Sequence, residues 1–291
     1  MSTGHSIRSG PATAANADQQ STLVIIDSNN SLTHLLGEFI SRRELLYFLI
    51  WRDIKIRYKQ TVLGALWAVL VPLLQTFLFT VIFGRFAKMQ TDGNYNYTVF
   101  VLAGLIPWTL FSQALTLGSQ SLINQQHLMT KVYFPRLYVP TAAVGGCLID
   151  FLIGLLLYAA VLVYFHIPPT WAIAWLPALV VLTVFASLGI VYLMAALTVS
   201  YRDFKYVIPF AVQAGMYASP VVYAVNIVPA KYRLILGLNP MTGIIDGYRS
   251  AVLGKPWDVS LIVESVCVSI VFFLIGVVYF RMAEQRFADI A

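Results

Sequence analysis

From Phe151 to Tyr201 the chain runs 51 residues without an aspartate, glutamate, lysine or arginine. A soluble domain of ordinary composition carries about 25% charged residues, so no water-facing element could be built from such a stretch. A membrane-crossing helix needs about 20 apolar residues, which makes 51 too long for one crossing. The break falls at His166-Ile167-Pro168-Pro169, where proline removes backbone donors and halts helix. Composition extends the conclusion to all 291 residues: 59% are apolar, 11% are charged, and the mean hydropathy is +0.75. Disordered chains lack that content of large apolar side chains. This is an integral membrane protein.

Further apolar blocks of spanning length lie near 63–84, 99–117 and 139–165 before the break, 172–198 after it, and then 207–225 and 259–280. Six helices are the economical count. Orientation follows from lysine and arginine in the connecting segments. With the N-terminus inside, thirteen of the 19 fall on the inner side, among them Arg52, Lys55, Arg57, Lys59, Lys131, Arg202 and Arg281. The other six, Arg85, Lys88, Lys231, Arg233, Arg249 and Lys255, fall outside. Both ends are then cytoplasmic. Residues 1–30 are small and polar with one short apolar run, Leu23-Val24-Ile25-Ile26, and read as a flexible, uncleaved cytoplasmic tail. Residues 31–62 form a cytoplasmic interface segment, 63–285 the transmembrane domain, and 286–291 a second cytoplasmic tail.

Between 226 and 258 the charge rule is strained. An uncharged stretch from Leu234 to Ile245 is interrupted by Gly237 and by Asn239-Pro240. It is too short to cross and too apolar for a free loop. One reading has it re-enter the outer leaflet, where irregular backbone persists only if buried in protein or lining a cavity. The other packs it as a surface loop on the helix ends.

Ahead of the first span, residues 42–59 read RRELLYFLIWRDIKIRYK. At helical spacing Tyr47, Ile50, Trp51, Ile54 and Tyr58 share a face, Arg52, Lys55 and Lys59 gather on another, and Asp53 and Arg57 form an i,i+4 pair. A basic, tryptophan-bearing amphipathic helix beside a span lies flat among the inner headgroups. It serves either as a topology anchor alone, or also as a basic surface that meets an anionic lipid-linked ligand.

Several chemistries are missing. No G-x-x-x-x-G-K-[ST] loop occurs, and Gly254-Lys255 is followed by proline, so the chain holds no ATP through a P-loop. No GxSG or HExxH appears, and His5, His34, His127 and His166 are scattered, so no metal site is expected. Cys147 and Cys267 sit in apolar runs as small hydrophobes. The positive charge lies beside spans and points to membrane lipid, not nucleic acid. Intramembrane carboxylates are limited to Asp150 and Glu264. A mid-membrane aspartate costs about 2.5–3.5 kcal/mol on the insertion scale, so Asp150 must face protein or water. It is either a structural hydrogen-bonding group or a substrate ligand.

The spans do carry aromatic and amide side chains: Trp67, Gln75, Trp108, Gln113, Tyr158, Tyr192, Gln213, Tyr217 and Tyr223. Some are packing or interfacial belt residues. A sugar pathway would use the same chemistry, because aromatic faces stack on pyranose C–H surfaces and amides bond hydroxyls without fixed charge.

Six segments in order carry a resemblance: RDIKIRYKQTVLGALWAVLVPLL (52–74), GLIPWTLFSQAL (104–115), LMTKVYFPRLYVP (128–140), SYRDFKYVIPF (200–210), SPVVY (219–223) and LNPMTGIIDGYRSAVLG (238–254). Together, over roughly 40–285, the chain resembles the permease subunit of bacterial ABC exporters for O-antigen, capsule and teichoic-acid polysaccharides. The resemblance implies an all-α membrane protein of the bacterial inner membrane, with an interface helix before the first span and re-entrant helices before the last. It further implies a homodimer bound to two copies of a separate ATPase subunit, which holds ATP and magnesium; the chain itself has no cofactor. The substrate implied is a polymer on undecaprenyl pyrophosphate. Arg52, Lys55 and Lys59 would meet that pyrophosphate. Asn124, Gln125, Gln126, His127, Met129 and Lys131 match the region that docks in the ATPase. Some of Trp67, Trp108, Gln113, Gln213, Tyr217 and Tyr223 would line the conduit, with Asp150 turned away into its own bundle.

Two other classes compete. A secondary transporter should show inverted repeats and several buried ionisable groups. The only echo is parallel, Trp51-Arg52-Asp53-Ile54-Lys55 with Tyr201-Arg202-Asp203-Phe204-Lys205. A lipid-linked-sugar enzyme should show carboxylates or a metal motif at one membrane face.

Overall fold

The structure is a computed structural model that describes residues 43–59, 66–89, 91, 93, 95–126 and 135–287. The expected tail at 1–30 lies outside the described residues, as do 288–291 of the expected tail at 286–291, residues 31–42, His127, Met129 and Lys131. The described residues are helical with no strand. In hydrocarbon only a helix or a closed barrel satisfies every backbone polar group.

Helix α1 spans Arg43–Lys59. Helix α2, Leu66–Phe79, continues as a π-helix over Thr80–Phe86. Helices α3 (Tyr97–Asn124) and α4 (Tyr138–Tyr164) follow. A 3₁₀ turn at Trp171–Trp175 leads into α5, Leu176–Ser200. Then come α6 (Phe204–Ala218), α7 (Ala230–Gly237), α8 (Met241–Leu253) and α9 (Val259–Phe287).

Among the described residues five helical stretches are long and apolar enough to cross a membrane: Leu66–Phe86, Tyr97–Asn124, Tyr138–Tyr164, Trp171–Ser200 and Val259–Glu284. The block expected at 207–225 departs from that pattern. Its helix α6 has 15 residues and stops at Ala218. At 1.5 Å per residue that is about 22 Å, short of a ~30 Å hydrocarbon core. The cause is Pro220, which forces Ser219 out of helical space to φ −91°, ψ 149°.

Helix α3 is the core of the bundle. It packs against α2, α4, α5, α6 and α8, and most of its side chains are buried, whereas only Pro72, Thr76 and Phe79 of α2 are buried. Helices α5 and α9 pack most extensively, through two glycines. A Cβ on Gly276 would collide with the Gly189 carbonyl, and one on Gly189 would sit 2.6 Å from the Phe273 nitrogen. Small residues let membrane helices approach this closely. The rings of Phe185 and Phe273 then stack at 4.5 Å.

Within 226–258 the chain forms α7 and α8, broken at Asn239-Pro240. All thirteen residues of α8 are buried, between α3, α5 and α9. Asn239 braces the break: its Oδ1 accepts from the Met241 N–H at 3.0 Å and its Nδ2 donates to Ser219 Oγ at 2.7 Å. The close packing of α8 requires Gly243, where a Cβ would strike the Leu261 carbonyl, and its N–H donates to Ser265 Oγ at 2.9 Å. Gly254 ends the helix in the left-handed region at φ 71°, which favours glycine.

Candidate functional site

Helix α1 meets the bundle on a face that takes in only one edge of its apolar stripe, through Ile50 and Tyr58. Leu49 is 2% exposed, and Ile50 lies over Gly145, its Cδ1 2.7 Å from where a Cβ would stand. Asp53 and Arg57 continue that face, while Tyr47 and Trp51 are exposed. The packed face is thus about a quarter turn around the helix from the stripe read in the sequence. The reason is electrostatic: α4 carries Asp150, and the side chains able to satisfy it are on the Arg57 side of α1.

The expected Asp53–Arg57 pair is replaced by two others. Arg52 donates to Asp53 Oδ1 from Nη2 at 2.7 Å and from Nε at 3.0 Å. Arg57 donates to Asp150 Oδ2, and the Tyr58 hydroxyl to Asp150 Oδ1. Burial opposes the Arg57 charge, but Cys147 and Asp150 outweigh it and its pKa is raised. Burial, then the hydrogen bond to Asp150, pushes the Tyr58 phenol well up. Arg57 therefore stays charged and Tyr58 stays a donor at any physiological pH. Of the three cations assigned to a pyrophosphate, Lys55 and Lys59 are exposed, whereas Arg52 is committed to Asp53. Lys55 Nζ lies 5.6 Å from the Trp51 ring centre.

Above this cluster is a cavity of about 240 Å³ between the end of α1 and helices α2, α3 and α4. Its lining includes Arg57, Tyr58, Trp67, Gln113, Asp150 and Phe151. It brings together two of the six residues assigned to a pathway, Trp67 and Gln113. Gln113 Oε1 is buried with no hydrogen-bond partner. Asp150 shares this wall, its carboxylate meeting Arg57 and Tyr58 of its own bundle at the cavity's edge.

The remaining four separate. Trp108 is 5% exposed, 5.5 Å from the Phe111 ring and packed against Gly215 of α6, in the core of this chain. Gln213 and Tyr217 are exposed on α6, in a stripe with Tyr206 and Phe210 at helical spacing. Tyr223 is half-buried and donates to the Ala218 carbonyl at 3.1 Å. Of the residues expected to dock in an ATPase, Asn124 and Gln126 are exposed at the end of α3 and Gln125 donates to Asp53 Oδ2 at 3.4 Å.

Arg249, read in the sequence as one more outer cation, is 1% exposed. It donates from Nη2 to the Val221 carbonyl at 2.7 Å, from Nη1 to that of Tyr223 at 3.3 Å and from Nε to that of Phe100 at 3.3 Å. Its guanidinium lies 3.6 Å from the Phe100 ring centre. Tyr97 adds a bond to the Val222 carbonyl at 2.6 Å. Nearby, Lys255 Nζ pairs with the buried Asp246 at 2.6 Å. The signal in the sequence was Asp246 and Arg249 bracketed by Ile244-Ile245 and Ala251-Val252-Leu253. Among the described residues no three histidine, cysteine, aspartate or glutamate side chains converge as metal ligands.

These features define a polytopic helical membrane protein with a polar-anchored interface helix, and the chain belongs to the ABC-2 type transporter family, whose model matches residues 44–253. Its relatives include the O-antigen export system permease protein RfbA of Myxococcus xanthus, 28% identical over 75% of this chain and 84% of that protein. RfbA of Klebsiella pneumoniae is 27% identical over 85% and 95%. The polysialic acid transport protein KpsM of Escherichia coli is 24% identical over 70% and 80%.

Proposed function

We propose that this chain is the transmembrane subunit of an ATP-driven exporter that moves a lipid-linked polysaccharide across the bacterial inner membrane. The family match over 44–253, in a chain without a P-loop, carries the reading, because the energy must then enter through a separate ATPase subunit. Relatives named for O-antigen export and polysialic acid transport support the substrate class. The working unit is a homodimer with two ATPase copies, and the carrier is undecaprenyl pyrophosphate. Six crossings are counted, with α6 and the segment after it as the fifth and both termini cytoplasmic; α7 and α8 re-enter from the outer side. The complete burial of α8 supports that re-entry, since backbone at such depth must be enclosed by protein.

Deleting the gene and analysing surface glycans and lipid-linked intermediates tests this reading. Loss of surface polymer with accumulation of the intermediate inside supports it, and so does a P-loop ATPase copurifying with the chain. A surface glycan profile identical to wild type overturns it.

The conduit runs between two copies, walled by neutral aromatic and amide groups. Trp67, Gln213 and Tyr217 are the members of the set whose exposure lets them face a second copy. In a background lacking Cys147 and Cys267, single cysteines at these three positions should react with a water-soluble maleimide during cycling. A cysteine at Trp108 should not. No labelling at any of the three would place the conduit elsewhere.

The segment after α3 docks in the ATPase groove. Lys131→Glu and Gln126→Pro should each leave membrane insertion intact while export falls relative to ATP hydrolysis. Wild-type export by both variants would remove that role. Lys55 and Lys59 offer the interface helix's exposed positive charge to the carrier pyrophosphate.

A further inference from the structure

An aspartate inside a spanning helix must be satisfied or it strands charge in a poorly solvating medium. Asp150 is satisfied from outside its own helix, with one carboxylate oxygen taken by Arg57 and the other by Tyr58. The last turn of α1 therefore cannot part from α4 without exposing that carboxylate unpaired. One turn earlier, Asp53 makes a second link. Arg52 holds its Oδ1, and its Oδ2 accepts from Gln125 at the end of α3. The two links lie on one continuous helix, about 6–8 Å apart along its axis. Beyond Asp150 stands the cavity wall with Trp67 and Gln113.

We propose that α1 is a lever with two polar joints, Asp53–Gln125 and Asp150 with Arg57 and Tyr58, and that Asp150 is a positioning residue carrying motion from the end of α3 to the cavity wall. The inference rests on the exporter reading above, which places the ATPase contact in the segment from Asn124 to Lys131 that includes Gln125. It assigns Asp150 a mechanical role, through α1, and no contact with the transported polymer. Coupling of this kind travels through contiguous contacts that must stay joined, and altering one link changes it roughly two- to thirty-fold.

The test uses the complete transporter, purified with its ATPase and reconstituted in vesicles, reading polymer exported per ATP hydrolysed. Asp150→Asn should keep assembly and ATPase activity and lower that ratio roughly two- to thirty-fold. Tyr58→Phe, which removes one donor and no charge, should lower it less. A disulfide between Ile50→Cys and Gly145→Cys ties α1 to α4 beside the joint, where the Ile50 side chain already lies against the Gly145 backbone. Formed in the Asp150→Asn protein, it should restore the ratio, and reduction by dithiothreitol should abolish the restoration.

A wild-type ratio in Asp150→Asn would overturn the proposal. So would a formed disulfide that restores nothing, since the carboxylate would then act on something other than α1. If Asp150→Asn does not assemble, Tyr58→Phe carries the same disulfide test: restoration supports the lever and its absence overturns it. A wild-type complex that hydrolyses ATP yet exports no polymer would instead defeat the exporter reading and leave the joint's geometry untouched.

Discussion

Arg249→Met should lower stability by on the order of 3 kcal/mol, because several buried carbonyls lose a charged donor at once. The methionine fills much of the same space but donates nothing. The carbonyls of Phe100, Val221 and Tyr223 each lose a donor, and an unpaired buried carbonyl costs about 1–3 kcal/mol. The Phe100 ring also loses the cation over its face. Arg249→Lys should recover only part of the loss, because an ammonium is a point charge that cannot reproduce the planar fork reaching three carbonyls. Thermal unfolding in detergent, read beside the wild type, checks both variants. Equal melting temperatures would mean that the segment from Val221 to Tyr223 is held by Tyr97 and packing alone.

Gly276→Leu should prevent the α5–α9 pair from forming at all, with loss of folded protein after extraction. The smaller Gly276→Ala should still cost about 1–3 kcal/mol, the usual penalty for overpacking. At this position the new Cβ meets the Gly189 carbonyl, which is helical backbone and cannot rotate aside as a side chain would. The helices must separate, and the Phe185–Phe273 stack at 4.5 Å separates with them. Gly154→Ala is the contrasting case. Its Cβ would meet only Ile106, at 3.8 Å, so the substitution should be neutral or slightly stabilising, because alanine is the better helix former. A monodisperse, wild-type-like elution profile for Gly276→Leu would show that the helices do not meet through these glycines.

Much of the architecture could be read from residue order. The apolar blocks near 139–165 and 172–198, separated at Pro168-Pro169, specified α4 and α5 to within a few residues. Hydrocarbon accepts only long apolar helices, so apolar length alone locates them. The same rule overran at 207–225, because apolar length does not register that Pro220 ends a helix. The break at Asn239-Pro240 was legible for the complementary reason: proline acts locally, whatever the surrounding fold.

The sites were less legible, and in a consistent way. Spacing on α1 grouped Asp53 with Arg57, since both lie on one helix. Only the tertiary structure could set Asp150 of α4 beside Arg57 and leave Asp53 to Arg52. It likewise moved Arg249 from the outer surface into the core and buried Trp108 against Phe111 and Gly215. The sequence by itself determined what lipid selects residue by residue: helices, their lengths, the absence of a nucleotide loop and the basic character of the interface segment. The tertiary structure decided which polar groups meet. In a medium that cannot solvate charge, a buried charged side chain must find a partner, and that partner is chosen by proximity in space between residues as far apart in the chain as Arg57 and Asp150.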